Sequence, residues 1–223
     1  MKQLVILSIW FCIVTICSAQ TPSIRTTASI VTYPSVTIGC QIWMSKNLDV
    51  TTYRNGDPIP QVTSKSEWAA LKTGAWCYYN NDPAMGAIYG KLYNWYAVND
   101  PRGLAPAGWH VPIDFEWTFL SKCLGGNSVA GGTLKESGTA HWIPTNSGAT
   151  NSSGFTALPG GYRNIGGTFY TIGNGGKFWS ATSAADVSRP TFAWLRYLFN
   201  GNSEMVKTNN NKEDGYSVRC VKD

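Results

Sequence analysis

The sequence predicts an α+β fold: two or three short helices flanking a small, curled, mainly antiparallel sheet with long loops. Three observations carry this. Capped, periodic helical segments are confined to residues 64–124. Beyond Gly126 no helical period survives, and short aromatic runs such as GKFWSAT and FAWLRYLFN alternate with Gly, Asn and Ser clusters. Charged residues make up only 14% of the chain, against about 25% in an average globular protein. Asn, Ser, Thr, Gly and aromatic residues fill the gap, a balance that suits an extracellular β-rich domain.

In chain order, Lys2 followed by LVILSIWFCIVTI and CSAQ reads as a secretory signal peptide over residues 1–19. The apolar run is shorter than the roughly 20 residues that span a bilayer, and no other segment could cross one. Cys17 would be the lipid-bearing residue of a lipoprotein signal, but Ile16 stands before it, where that signal takes a small side chain. Residues 20–36, rich in Thr and Ser with two prolines, read as an extended tether. The folded body then runs from Thr37 to Asp223, long enough for one domain with a proper core.

Within the body, IGCQIWMSKNLDV and its continuation offer short β-type runs, with Asn55-Gly56-Asp57-Pro58 as a turn. The first helix is SKSEWAALKTG, residues 64–74. Ser64 caps it, Glu67 completes a capping box, Gly74 closes it in the left-handed conformation, and Trp68 with Leu71 forms its buried face. The second is KLYNWYAVN, where Leu92, Trp95 and Tyr96 fall at i, i+3 and i+4. The third follows GWHVPIDFEW: Asp114 caps it, Trp117, Leu120 and Leu124 share a stripe, and Gly125-Gly126 stops it. Strands and loops make up the rest, with Trp179 in WSAT and Trp194 in AWLRYL read as inward-facing core residues.

Loss of residues 1–19 removes Lys2 alone from the 18 basic side chains, leaving 17 against 13 acidic ones and a net charge of +4. The basic residues stand singly, with no run to track a phosphate backbone, so no nucleic acid partner is expected. Of the six cysteines, Cys12 and Cys17 leave with the signal. Cys40, Cys77, Cys123 and Cys220 remain, an even number that in an exported chain suggests disulfides with three possible connectivities. None lies in a CxxC or beside a histidine at ligand spacing, which argues against zinc.

His110, Asp114 and Glu116 combine an imidazole with carboxylates, the groups of general acid and base catalysis. A strand side chain at 110 and a helix cap at 114 need not face each other, however, and the reading followed is a packed histidine and a capping aspartate. His141, in the loop SGTAHWIPTNSG, reads as solvent-exposed. GxSxG, HExxH and a phosphate loop are absent, and GNGG at 173–176 reads as a turn, so no catalytic residue is assigned and no enzyme is expected.

IGCQIWMSKNLDV, WCYYNNDPAMGAIYGKLYNWYAV, LAPAGWHVPIDFEW, SSGFTALPGGYR, FWSAT and DGYSVRCVKD, in that order, resemble the Fibrobacter succinogenes major paralogous domain over residues 37–223. That family occurs in secreted and surface proteins of gut and rumen bacteria, and itself resembles the C-type lectin-like fold shared with the formylglycine-generating enzymes. The resemblance implies that LYNWYAV is the first fold-defining helix, WHVP a strand, DFEWTFLSKCL the second helix, and YSVRCV a closing strand beside the first. It also implies a Cys77–Cys220 disulfide, leaving Cys40 and Cys123 as a second pair or as free thiols. The paired late cysteines of the formylglycine enzymes are missing, since Cys220 stands alone, and that activity is not carried over.

Many lectins of this fold hold sugar through calcium, and their Glu-Pro-Asn and Trp-Asn-Asp motifs are absent here. The run NGNSEMVKTNNNKEDG nonetheless offers Glu204, Asn209, Asn210, Asn211, Glu213 and Asp214 as hard oxygen donors for calcium. For a ligand surface, the aromatic candidates of the loop-rich half are Trp142, Tyr162 with Arg163, Phe169 and Tyr170; rings stack on sugar faces while Arg reaches hydroxyls. The function expected is a secreted or cell-surface binding module for polysaccharide or a surface protein. The alternative is a structural or assembly module of the bacterial envelope, and an enzyme using His110 or His141 comes third.

Overall fold

Gly39, at φ +61°, turns the chain between β1 (Ser35–Ile38) and β2 (Gln41–Met44), and this hairpin begins the fold two residues earlier than the sequence places it. The computed structural model describes residues 32–184, 186 and 188–223. The expected signal peptide over residues 1–19, with Cys17, and residues 20–31 of the expected tether lie outside the described residues. The described residues form a mixed α and β structure with few, short helices and curled sheets.

Each helix start is set by a side chain or a glycine. Ser64 caps α1 (Lys65–Ala69), its hydroxyl accepting from the Glu67 N–H at 3.3 Å. The helix stops at Ala69, five residues short of Gly74. Asp82 caps α2 (Pro83–Tyr89), a helix the sequence reading misses, by accepting from the Ala84 N–H at 2.8 Å, with Pro83 preset at the first position. KLYNWYAVN splits: Leu92–Tyr93 is strand β4, paired with β3 (Trp76–Cys77), and only Trp95–Val98 is helical (α3). Asn94 makes the break, its side chain accepting from Ala97 and from Ala75 and donating to Thr73.

β5 (Trp109–His110) leads into α4 (Asp114–Cys123), whose cap residue is Ile113 rather than Asp114. Glu116 accepts from the Ile113 N–H at 2.8 Å, freeing Asp114 for other partners. A further helix, α5 (Asn127–Leu134), follows directly, where no helical period is visible. Gly131 and Gly132 are its reason: a Cβ at Gly131 would lie 2.1 Å from the Glu204 carbonyl oxygen, and one at Gly132 2.4 Å from that of Gly148. Close approach to two loops excludes the side chains that would have announced a helix.

The remaining strands are β6 (Gly160–Arg163), β7 (Phe169–Ile172), β8 (Gly175–Ser183), β9 (Phe192–Phe199), β10 (Met205–Asn211) and β11 (Val221–Lys222). One sheet runs β1-β2-β11-β5, so the closing strand returns beside the first hairpin; the other runs β10-β9-β8-β6-β7 and is antiparallel except where β6 meets β8. Trp43, Trp117, Phe155 and Phe178 pack between α4, α5 and the larger sheet. Trp95, Trp109, Trp179 and Tyr216 fill a second core, and Trp68, Cys77 and Leu92 a third. Trp179 is fully buried as expected, whereas Trp194 is half-buried, with the Lys207 ammonium 4.2 Å from its ring centre.

The four cysteines among the described residues are free thiols, so the expected Cys77–Cys220 disulfide is not formed. Cys77 and Cys220 occupy different cores, each buried so that its thiol pKa is pushed up, Cys77 to about 12. Cys40 and Cys123 are exposed thiols as well.

Long loops leave carbonyls that no ladder serves, and buried cations serve them. The Lys135 ammonium, fully buried, donates to the carbonyls of Ser147, Phe199 and Asn202 at 2.8–3.0 Å. Burial lowers its pKa to about 8, which keeps it mostly charged at neutral pH. Arg219 donates to the carbonyls of Met44, Phe155 and Thr156 and to the Asn47 side chain. Lys135→Met should therefore strand three partly buried carbonyls and cost about 3 kcal/mol. Urea denaturation measures this, and an unchanged midpoint would remove the ammonium as a fastener.

Candidate functional site

Strand alternation puts every second residue of the larger sheet on one face. Tyr162 pairs across strands with Tyr170, Lys177 with Tyr197, and Tyr197 with Val206, which lines up one row across β7, β6, β8, β9 and β10. Further along β8 and β9 the same face becomes core, with Trp179 opposite Leu195. The row is thus the open border of a buried layer, and its residues are half-buried or exposed, Tyr170 42% and Phe199 38%.

The rings are held against one another. Tyr162 stacks on Tyr170 with centroids 5.5 Å apart, rests on buried Tyr216 at 5.5 Å, and Tyr197 lies 6.1 Å from Phe199. Glycine makes room for one of the rings and for the β6–β7 approach: a Cβ at Gly175 would sit 2.6 Å from Tyr197 Cε2, and one at Gly161, where φ is +62°, 2.5 Å from the Tyr170 backbone carbonyl. The Lys177 ammonium lies in the middle, 3.7 Å from the Tyr162 ring centre, 5.2 Å from that of Tyr216 and 5.3 Å from that of Tyr197. Beneath, Asp214 accepts from the Tyr216 hydroxyl at 2.7 Å and the Ile165 N–H at 2.6 Å. Burial pushes the Asp214 pKa up against those two hydrogen bonds.

Of the ligand candidates drawn from the sequence, the structure brings Tyr162 and Tyr170 together, turns half-buried Phe169 to Tyr79 and Arg163, and withdraws Trp142 and Arg163. Trp142 is 1% exposed, its indole N–H given to the Ala157 carbonyl. Arg163 is 1% exposed and fastens the carbonyls of Val62, Thr63, Ser64 and Gly167 between the rings of Trp68 and Phe169. Both sit beside Gly and Pro, which suggest exposure in a sequence but here mark loops packed inward. Tyr197, Phe199 and Lys177 are the members that sequence reasoning misses. Alternation on β8 and β9 opposite core Trp179 and Leu195 is the signal that could have found Lys177 and Tyr197.

The calcium set does not converge. Glu204 precedes β10 and Asn211 ends it, so the chain carries them roughly 20 Å apart at about 3.3 Å per residue. Asn209 accepts from Arg189, Asp214 is engaged as above, and Glu213 is held by Lys72 at 2.6 Å and by Tyr96. Among the described residues no three His, Cys, Asp or Glu side chains are grouped to hold a metal.

The two histidines are each held by carboxylates. His110 Nε2 meets Glu116 at 2.7 Å and Nδ1 meets Asp223 at 2.8 Å, while Asp114 turns away to Arg196 and Lys207. His110 is thus an ion-paired residue at a sheet edge, not a packed one. His141 is half-buried instead of solvent-exposed, with Nδ1 2.9 Å from Glu136; it lines a cavity of about 530 Å³ with Lys46, Asp49 and Ile88.

With this geometry in place, the comparisons give a family. The family model described as the Fibrobacter succinogenes major domain matches residues 36–222, and the chain belongs to that family. No curated protein and no solved structure matches the chain. Among the described residues no helix is long and apolar enough to cross a membrane.

For His110, burial opposes the charge, but hydrogen bonds and attraction from Glu116 and Asp223 outweigh it and raise the pKa above the ordinary 6.5. A histidine whose pKa rises on folding stabilises below its unfolded value, and that contribution is lost as pH climbs through the folded one. The melting temperature should fall from about pH 6 upward more steeply than in His110→Gln. Parallel curves for the two proteins would refute the ion-pair account.

Proposed function

We propose that residues 33–223 form the binding module of an exported protein and that its ligand is a polysaccharide or another polymer of a cell surface. The observation that supports this best is the row Tyr170, Tyr162, Lys177, Tyr197 with Phe199: rings held in place by their neighbours, open on one side, with polar edges and apolar faces. Sugar rings offer apolar faces to such a surface and hydroxyls to its rim. The signal-like segment over residues 1–19 supports export, to the outside of the cell or to its surface.

The C-type lectin-like likeness belongs to the same proposal. It is supported by the return of β11 beside β2 and by helices α3 and α4 on either side of β5, the order that fold requires. It is a statement about scaffold, since one scaffold hosts many ligands.

The test is retention of the purified chain on a panel of immobilised plant, host and bacterial polysaccharides, with calcium and again with chelator. Selective retention should weaken about fivefold in Tyr162→Ala and in Tyr197→Ala, the worth of roughly 1 kcal/mol per aromatic contact. Trp142→Ala should instead cost about 3–5 kcal/mol of stability through the core. Retention of nothing, or retention untouched by both tyrosine changes, would refute the proposal.

A further inference from the structure

Cations buried elsewhere in this protein have oxygen partners. Lys135 has three carbonyls, Arg163 four, Arg219 three and an amide, Arg196 the Asp114 carboxylate, and Lys91 the Asp49 carboxylate. Lys177 departs from this. Its ammonium sits over three tyrosine rings, yet no hydrogen bond or ion pair engages it among the described residues. Asp214, whose charge acts on it, is turned to Tyr216 and Ile165.

The ring faces attract the ammonium and fix its position, but they supply no lone pair for its N–H groups. A partly desolvated cation in that state is most relieved by an anionic oxygen arriving from solvent. The tyrosines around it flank the point where that oxygen would enter, and the row from Tyr170 to Tyr197 spans four strands, about 14 Å at 4.8 Å per strand. That extent suits a chain of sugar rings better than a single one.

We infer that this face takes an acidic polysaccharide, one whose sugars carry carboxylate or sulfate groups, and that the Lys177 ammonium receives the acidic oxygen while Tyr162 and Tyr197 receive the rings. The inference rests on the reading of the row as a ligand platform and narrows its substrate class. Burial lowers the pKa of Lys177, with Asp214 pulling the other way, and a bound carboxylate or sulfate would add to the Asp214 effect.

The experiment uses the purified chain and two matched pairs of probes: polygalacturonate against its fully methyl-esterified form, and dextran sulfate against dextran. The acidic member of at least one pair should bind about tenfold more tightly than its neutral partner, and added salt should narrow the gap. The pair that responds identifies the acid as carboxylate or sulfate. Lys177→Met should abolish the acidic preference, and Lys177→Arg should restore much of it, with near-ultraviolet circular dichroism of both variants checking the tyrosine row. In parallel, reductive methylation read by mass spectrometry should find Lys177 shielded by the acidic polymer. Equal binding within both pairs, or a preference that survives Lys177→Met in a folded variant, overturns the inference while leaving a neutral-sugar platform standing. No binding to any of the four probes overturns the inference, and retention across the wider panel then decides the parent proposal separately.

Discussion

Backbone carbonyls in loops are the constraint on which this structure depends. More than half of the described chain lies outside helices and strands, so segments such as 135–159 and 45–64 bring acceptors that no ladder pairs against the core at buried points such as Leu48, Tyr53, Trp142 and Phe155. Lys135, Arg163 and Arg219 answer that need, each gathering three or four oxygens from segments distant in sequence. A cation does this better than a hydroxyl because it offers several donors from one point and its hydrogen bonds are charge-assisted. Arg219 alone ties the end of β2 to the loop before β6 and to the segment before β11.

The same economy shapes the larger sheet. Its helix-covered face is closed by α4 and α5 over Phe178 and Leu198, and Arg196 reaches Asp114 and Thr118 across that contact. Its other face is half core and half border. Where Tyr216 and Trp179 share a cluster with Trp95, the layer is buried; one residue pair along, Tyr162, Lys177 and Tyr197 reach solvent. The platform is an uncovered continuation of the core, which is why its rings are so well supported from below.

Legibility in the sequence follows from how local each cause is. Ser64 and the Trp117-Leu120 stripe act within a turn or two, and they forecast α1 and α4 near the right places. The family resemblance rests on motifs of similar range and covers the described body. What went unread has distant causes. α5 hides because Gly131 and Gly132 answer to residues 148 and 204. Arg163 looked like a ligand contact because its four acceptors lie up to 101 residues away. Tyr162 and Tyr170 stand out singly in the sequence as aromatics of the loop-rich half, whereas Lys177 and Tyr197 join them only through strand pairing.

One consequence of the closing strand concerns timing. The Arg219 contact with Met44 joins residues 175 apart, and β11 inserts between β2 and β5 at the centre of its sheet. Until that stretch has emerged from the ribosome, β2 and β5 have no strand between them and the carbonyls of Met44, Phe155 and Thr156 lack their donor. Closure of so long a loop is slow, and the unfinished chain stays open. Under the export proposed above, a contact closed last would keep the nascent chain pliant until it had been threaded across the membrane.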